Sequence, residues 1–136
     1  MTRFAIDAGT AIRIVRESVP IPDAHQLVAP KSLQSQALSQ LYREVRAGSL
    51  DREVARETLD GITTMRIRLL GDRVSRGRAW RIAEDLGWAD IGNAEYVAVA
   101  QLQADAFVTL DEKLAREVAS IVATAPFEEL TSEARS

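Results

Sequence analysis

A mostly parallel α/β sheet with helices on both faces is the fold class that the sequence predicts, and three observations predict it. Short apolar runs of β type alternate with longer segments whose apolar residues recur at helical spacing, the pattern of a sheet whose strands are joined by crossover helices. A chain of 136 residues has the size of one domain that buries about two-thirds of its unfolded surface. Its 46% hydrophobic and 27% charged residues are ordinary for a globular protein.

The elements follow in order. Phe4-Ala5-Ile6 forms a first strand closed by Asp7. Gly9 permits close backbone approach before a helix through Thr10-Ala11-Ile12-Arg13-Ile14-Val15, which the proline-containing loop from Ser18 to Asp23 ends. Gln26 to Pro30 reads as a second strand. From Ser32, the positions Leu33, Ala37, Leu38, Leu41, Tyr42 and Val45 keep helical spacing, and Gly48 supplies a stop. Asp51 to Arg66 continues as a helix through Val54, Leu59, Ile62 and Met65, weakened by Gly61 and Thr63-Thr64. Asp72 to Leu86 is another, closed by Gly87. After Asp90, Ala94 to Ala100 offers a face of small residues suited to lying close on a sheet. Ala106 to Leu110 is the strongest strand, Glu112 to Ala119 a helix, and Ile121 to Thr124 a final strand, for four or five short strands in all. Residues 1–130 make up the domain, and 131–136 form a polar tail expected to be mobile. No internal repeat, linker or low-complexity stretch interrupts this order.

Composition narrows the chemistry. The chain has no cysteine and one histidine, which excludes thiolate and histidine-rich metal sites and leaves oxygen as the ligand atom. His25 is placed in a polar loop and carries no general-base pattern. A net charge of −3 argues against nucleic-acid binding by global attraction, although a local basic site remains open. Six arginines between Arg66 and Arg81 would supply such a site if they shared a face; their spacing fits a solvated helix surface better. Trp80 and Trp88 are stacking candidates, with packing the favoured role. The start lacks a charged region followed by a long apolar stretch, and no apolar run approaches membrane-spanning length, so a cytoplasmic protein is expected.

Asp7 and Asp111 carry the functional reading. Each follows an apolar strand and precedes a helix, which puts two carboxylates at the carboxyl edge of the sheet, where open α/β folds bind ligands. Paired carboxylates there suit a hard divalent cation such as Mg²⁺. An aspartate between strand and helix is also a common N-cap, accepting from the unpaired amides of the next turn. Both roles stay open on the residues alone.

The segments RFAIDAGTAIRIV, LVAPKSLQSQALSQLYREVRAGSLD and ADIGNAEYVAVAQLQADAFVTLDEKLA, taken in order, resemble the PIN domain, and within it the VapC toxins of bacterial toxin–antitoxin pairs. The resemblance runs from about Arg3 to Leu130. It implies a PIN-like three-layer fold and an endoribonuclease dependent on Mg²⁺ or Mn²⁺. It also implies a homodimer, neutralised by a small VapB-like antitoxin that inserts into the active-site groove. The family's first and last acidic positions match Asp7 and Asp111, implying that both hold metal. Gln36 and Asn93 match positions where the family usually carries Glu and Asp, and so belong to the implied catalytic set with Asp7 and Asp111. Glu95 matches an acidic position found in some relatives and is either a third candidate metal ligand or a solvent-facing acid in the first turn of its helix; Asp90 is a candidate for the same cluster or a helix cap. Thr10 and Thr109 match hydroxyls that position water or phosphate, while threonine in or beside a strand also often serves packing and local hydrogen bonding.

The two amides mark where this chain departs from the family. Replacing two carboxylates by amides removes two negative charges from a site that must balance a dication and activate water. Two functional classes follow: a metal-dependent ribonuclease with a degenerate acidic site, and a catalytically impaired PIN-like protein that acts by binding RNA or antitoxin.

Overall fold

The structure, a computed structural model, describes residues 1–132. Its elements are β1 (Thr2–Ile6), α1 (Ala8–Arg16), β2 (His25–Pro30), α2 (Leu33–Arg46), α3 (Arg52–Thr64), β3 (Ile67–Leu70), α4 (Arg73–Leu86), α5 (Gly92–Gln103), β4 (Ala106–Val108) and α6 (Glu112–Val118), with a final 3-10 turn at Phe127–Thr131. The four strands pair in the order β3-β2-β1-β4, and every pairing is parallel. Six helices flank the sheet in a three-layer α/β fold.

Burial follows from the apolar pattern. Phe4, Ala5 and Ile6 of β1 and Leu27, Val28 and Ala29 of β2 are all buried, as expected of central parallel strands covered on both faces. α5 packs across β1, β2 and β4, with α4 behind it, while α1, α2 and α3 pack on one another. The buried run Tyr96-Val97-Ala98-Val99-Ala100 lets α5 lie close to the sheet. Gly61 has a comparable role on the other group of helices. A Cβ there would stand 2.5 Å from Val15 Cγ1, so the glycine that weakens α3 as a helix former is what allows α3 to approach α1.

Five expectations need correction. Ile67–Leu70 forms the edge strand β3, which the sequence hid because exposed Arg68 interrupts the half-buried Ile67, Leu69 and Leu70. The expected strand Ile121 to Thr124 shrinks to one parallel bridge between Phe107 and Thr124, held by Phe107 N–H on Ala123 O at 2.8 Å and Ala125 N–H on Phe107 O at 3.0 Å. His25 belongs to β2 rather than a loop: it is buried, stands edge-on to Phe4, and its Nε2 lies 2.6 Å from Ser132 O. Leu38 and Tyr42 of α2 keep helical spacing yet face outward, at 53% and 62% exposure. The proposed tail is ordered at its start, since Thr131 closes the 3-10 turn and Ser132 meets His25; residues 133–136 lie outside the described residues. Among the described residues, no helix is long and apolar enough to cross a membrane.

Candidate functional site

Ile6 ends β1 opposite Val108, the last residue of β4, so Asp7 and Thr109 emerge side by side at the carboxyl edge. β1 is also where the sheet order reverses, with β2 on one flank and β4 on the other. That topology opens a crevice beyond the strand ends.

Asp7 is held there by three hydrogen bonds. Its Oδ1 accepts the backbone N–H of Thr10 at 3.0 Å, capping α1, and lies 2.7 Å from the Thr10 hydroxyl. Its Oδ2 accepts from the Thr109 hydroxyl at 2.5 Å. Thr10 Oγ1 also lies 3.1 Å from Val108 O; its single proton serves one of the two acceptors at a time. Asp111 caps α6, with Oδ1 accepting from Leu114 N–H at 3.1 Å, and its own N–H donates to Thr109 Oγ1 at 3.2 Å. Capping uses one oxygen of Asp111 and leaves Oδ2 without a partner among the described residues. Cap and ligand are therefore compatible roles, because an ionised carboxylate accepts at about four lone-pair sites.

Asp7, Gln36, Asn93 and Asp111 line one open cleft of about 970 Å³. Gln36 comes from the first turns of α2, half-buried, with Nε2 3.5 Å from Ser32 Oγ. Asn93 is exposed near the start of α5. The two threonines stand differently from the expectation that they position water or phosphate: Thr10 is fully buried, and both hydroxyls are directed to Asp7. Asp90 holds Gly92 N–H at 3.0 Å, shaping the entry to α5.

Glu95 does not join the cluster. It lies two residues beyond Asn93 on α5, about 200° around the helix, and lines a separate small pocket with Lys31, Ser75 and Arg76. Among the described residues, no three His, Asp or Glu side chains gather as a metal-binding group. The candidate donors that line the one cleft, the carboxylates of Asp7 and Asp111 and the amide oxygens of Gln36 and Asn93, are all hard oxygen ligands. They fit Mg²⁺, which is commonly held by one or two carboxylates with water and substrate phosphate in its other positions.

Several lining residues were missed by sequence reasoning. Tyr96 is 2% exposed, and its hydroxyl has no hydrogen-bond partner among the described residues. Burial, then the negative charge of Asp7, raises its phenol well above the ordinary value, so it stays neutral. Arg13, Arg16 and Arg43 line the far wall. Arg13 pairs with Glu17 at 3.0 Å and lies 4.0 Å over the Phe127 ring; Arg16 pairs with Glu44 at 3.1 Å. Helical spacing from Asp7 through Gly9, Ile12, Arg13 and Arg16 was the available signal. The arginine-rich stretch from Arg66 to Arg81 does not reach this cleft: β3 and α4 divide it, Arg66 meets Asp23 at 3.8 Å, and Arg78 donates to Gln101. Trp80 is 64% exposed rather than packed.

No family model matches the chain, and neither does any curated protein. Among solved structures, the chain is similar to one described as the crystal structure of PAE2754 from Pyrobaculum aerophilum. The TM-score is 0.71 at 19% sequence identity, over 96% of this chain and 94% of that one. The likeness shows a shared fold.

Proposed function

We propose that this protein is a VapC-type toxin, a metal-dependent endoribonuclease with a degenerate acidic site. One observation carries the reading: Asp7, Gln36, Asn93 and Asp111, from four separate segments, line the same cleft, in the order and positions that the PIN resemblance implies. Asp7 and Asp111, helped by the amide oxygens of Gln36 and Asn93, would hold Mg²⁺ or Mn²⁺. Such an ion, when bound, would make a water acidic enough to attack a phosphodiester and balance the charge that develops. The chain's own part is to fix Asp7 through Thr10 and Thr109, and to offer Arg43 to a flanking phosphate of single-stranded RNA, with Arg13 and Arg16 joining it only by exchanging Glu17 and Glu44 for phosphate.

A second reading draws on the observation that, among the described residues, no three His, Asp or Glu side chains gather to hold a metal, Glu17 and Glu44 of the same cleft being paired with arginines. With two carboxylates rather than four, metal affinity and water activation fall, and the protein would act by binding RNA or a VapB-like antitoxin. The outward-facing Leu38 and Tyr42 lie one turn apart on α2 and suit a homodimer contact or the antitoxin. Single-turnover incubation of a mixed RNA substrate with Mg²⁺ or Mn²⁺ separates the readings. The ribonuclease reading expects cleavage by the protein and none by Asp7→Asn; tight RNA or antitoxin binding without cleavage would establish the second.

A further inference from the structure

A second pocket, of about 320 Å³, adjoins the main cleft and shares Asn93, Asp111 and Leu114 with it. Asn93 and Asp111 thus form a saddle between the two. Beyond the saddle stand Trp88, Asp90, Lys113 and Glu117. We propose that this pocket receives the base of the nucleotide next to the scissile phosphate, stacked on the indole of Trp88; the proposal rests on the RNA-cleaving reading of the main cleft.

Trp88 is built as a fixed platform. Gly87 takes a left-handed conformation, with φ of 68°, and so turns the chain out of α4. Trp88 N–H then donates to Ala83 O at 2.9 Å, while its indole N–H donates to Glu117 Oε2 on α6 at 3.1 Å. Backbone and ring are both tethered, so a stacked base need not order a mobile side chain. The indole remains half-buried, leaving part of it open to the pocket. Stacking on an aromatic ring tolerates any base, but the surrounding groups add a preference. Asp90 commits only Oδ1 to Gly92, and Glu117 only Oε2 to Trp88, leaving carboxylate oxygens to accept from a base edge. An exocyclic amino group, as on cytosine, is the partner that acidic side chains read; uracil carries a carbonyl at the same place. Among the described residues, Lys113 is the one cation lining the pocket, and we assign it to the adjoining phosphate.

The test uses a Trp80→Phe variant, which leaves Trp88 as the sole tryptophan. It is titrated with short oligocytidylate and oligouridylate, with Ca²⁺ in place of Mg²⁺ to limit turnover. The expected result is quenching of Trp88 fluorescence by both, with oligocytidylate binding more tightly. Affinity measured separately by filter binding should fall roughly 5- to 150-fold in Trp88→Ala, and much less in Trp88→Phe, which keeps a stacking ring. RNA binding with an unchanged Trp88 signal would overturn the pocket's role while leaving the main-cleft reading intact, and this readout survives even if Trp88→Ala fails to fold. Equal affinity for the two oligomers would overturn the base preference. No binding of either RNA would overturn the RNA reading and the pocket with it.

Discussion

The hydroxyl of Thr109 lies 2.5 Å from Oδ2 of Asp7, a short charge-assisted hydrogen bond between residues 102 positions apart. The hydroxyl oxygen of Thr109 in turn accepts the backbone N–H of Asp111 at 3.2 Å. One side chain thereby ties the Asp7 carboxylate to the backbone of Asp111, and the ends of β1 and β4 are coupled at the point where the sheet order reverses.

Thr109→Val keeps the branched shape and removes the donor. Asp7 would retain its cap on α1 but lose its hold on Oδ2. Metal affinity measured by calorimetry is expected to fall about 10- to 100-fold, the usual effect of removing a group that orients a ligand. An unchanged affinity would show that Thr10 alone orients Asp7.

Substitution should separate the cap that Asp111 makes on α6 from the metal-ligand role proposed for it. Asn caps a helix about as well as Asp, whereas Ala does not. Asp111→Ala is expected to lower stability by about 1 kcal/mol, and Asp111→Asn to leave it nearly unchanged, while both abolish metal-dependent cleavage. Denaturant unfolding and a cleavage assay on the two variants check this. Equal destabilisation by both would show that the cap needs the charge.

Gly61→Ala improves helix propensity in α3 but forces a Cβ to within 2.5 Å of Val15 Cγ1. Val15 is β-branched and has little rotamer freedom with which to yield. Thermal or denaturant unfolding should show a loss of about 1–3 kcal/mol from overpacking. A gain in stability would mean that α1 and α3 separate easily.

Asp72 gives an acid-dependent contribution. Its carboxylate accepts Ser75 N–H at 2.8 Å and the Ser75 hydroxyl accepts Asp72 N–H at 3.0 Å. The bond from Ser75 N–H is the main cause holding this carboxyl below its ordinary value of 3.8. A folded value below the unfolded one means that the stabilisation is complete above pH 3.8 and is lost as pH falls through the lower folded value. Asp72→Asn should therefore lose less stability than the wild type on acidification. Melting temperatures at neutral pH and well below pH 3.8 provide the comparison; parallel losses would contradict it.

Legibility in the sequence tracked how locally each feature is determined. β1, β2, β4 and all six helices showed in apolar spacing, because central strands and amphipathic helices write their burial directly into the chain. β3 did not, since an edge strand with exposed Arg68 owes its form to pairing with β2. At the site, Asp7 and Asp111 were visible as strand-end acids, and the PIN resemblance singled out Gln36 and Asn93. Glu95 was misplaced because proximity in sequence does not keep helix residues on one face: two positions along α5 carry it away from Asn93. Thr10 and Thr109 were singled out, but their common attachment to Asp7 depends on the β1–β4 register. Tyr96 reads as an ordinary core residue until the cleft beside it is assembled.

The most direct test of the central claim is single-turnover RNA cleavage in Mg²⁺ by the wild type, Asp7→Asn and the Gln36→Glu/Asn93→Asp double variant. Metal-dependent cleavage is expected from the wild type, none from Asp7→Asn, and a faster rate from the double variant, where two carboxylates return to the cleft. Cleavage that persists in Asp7→Asn, or no cleavage by either the wild type or the double variant, would contradict the claim.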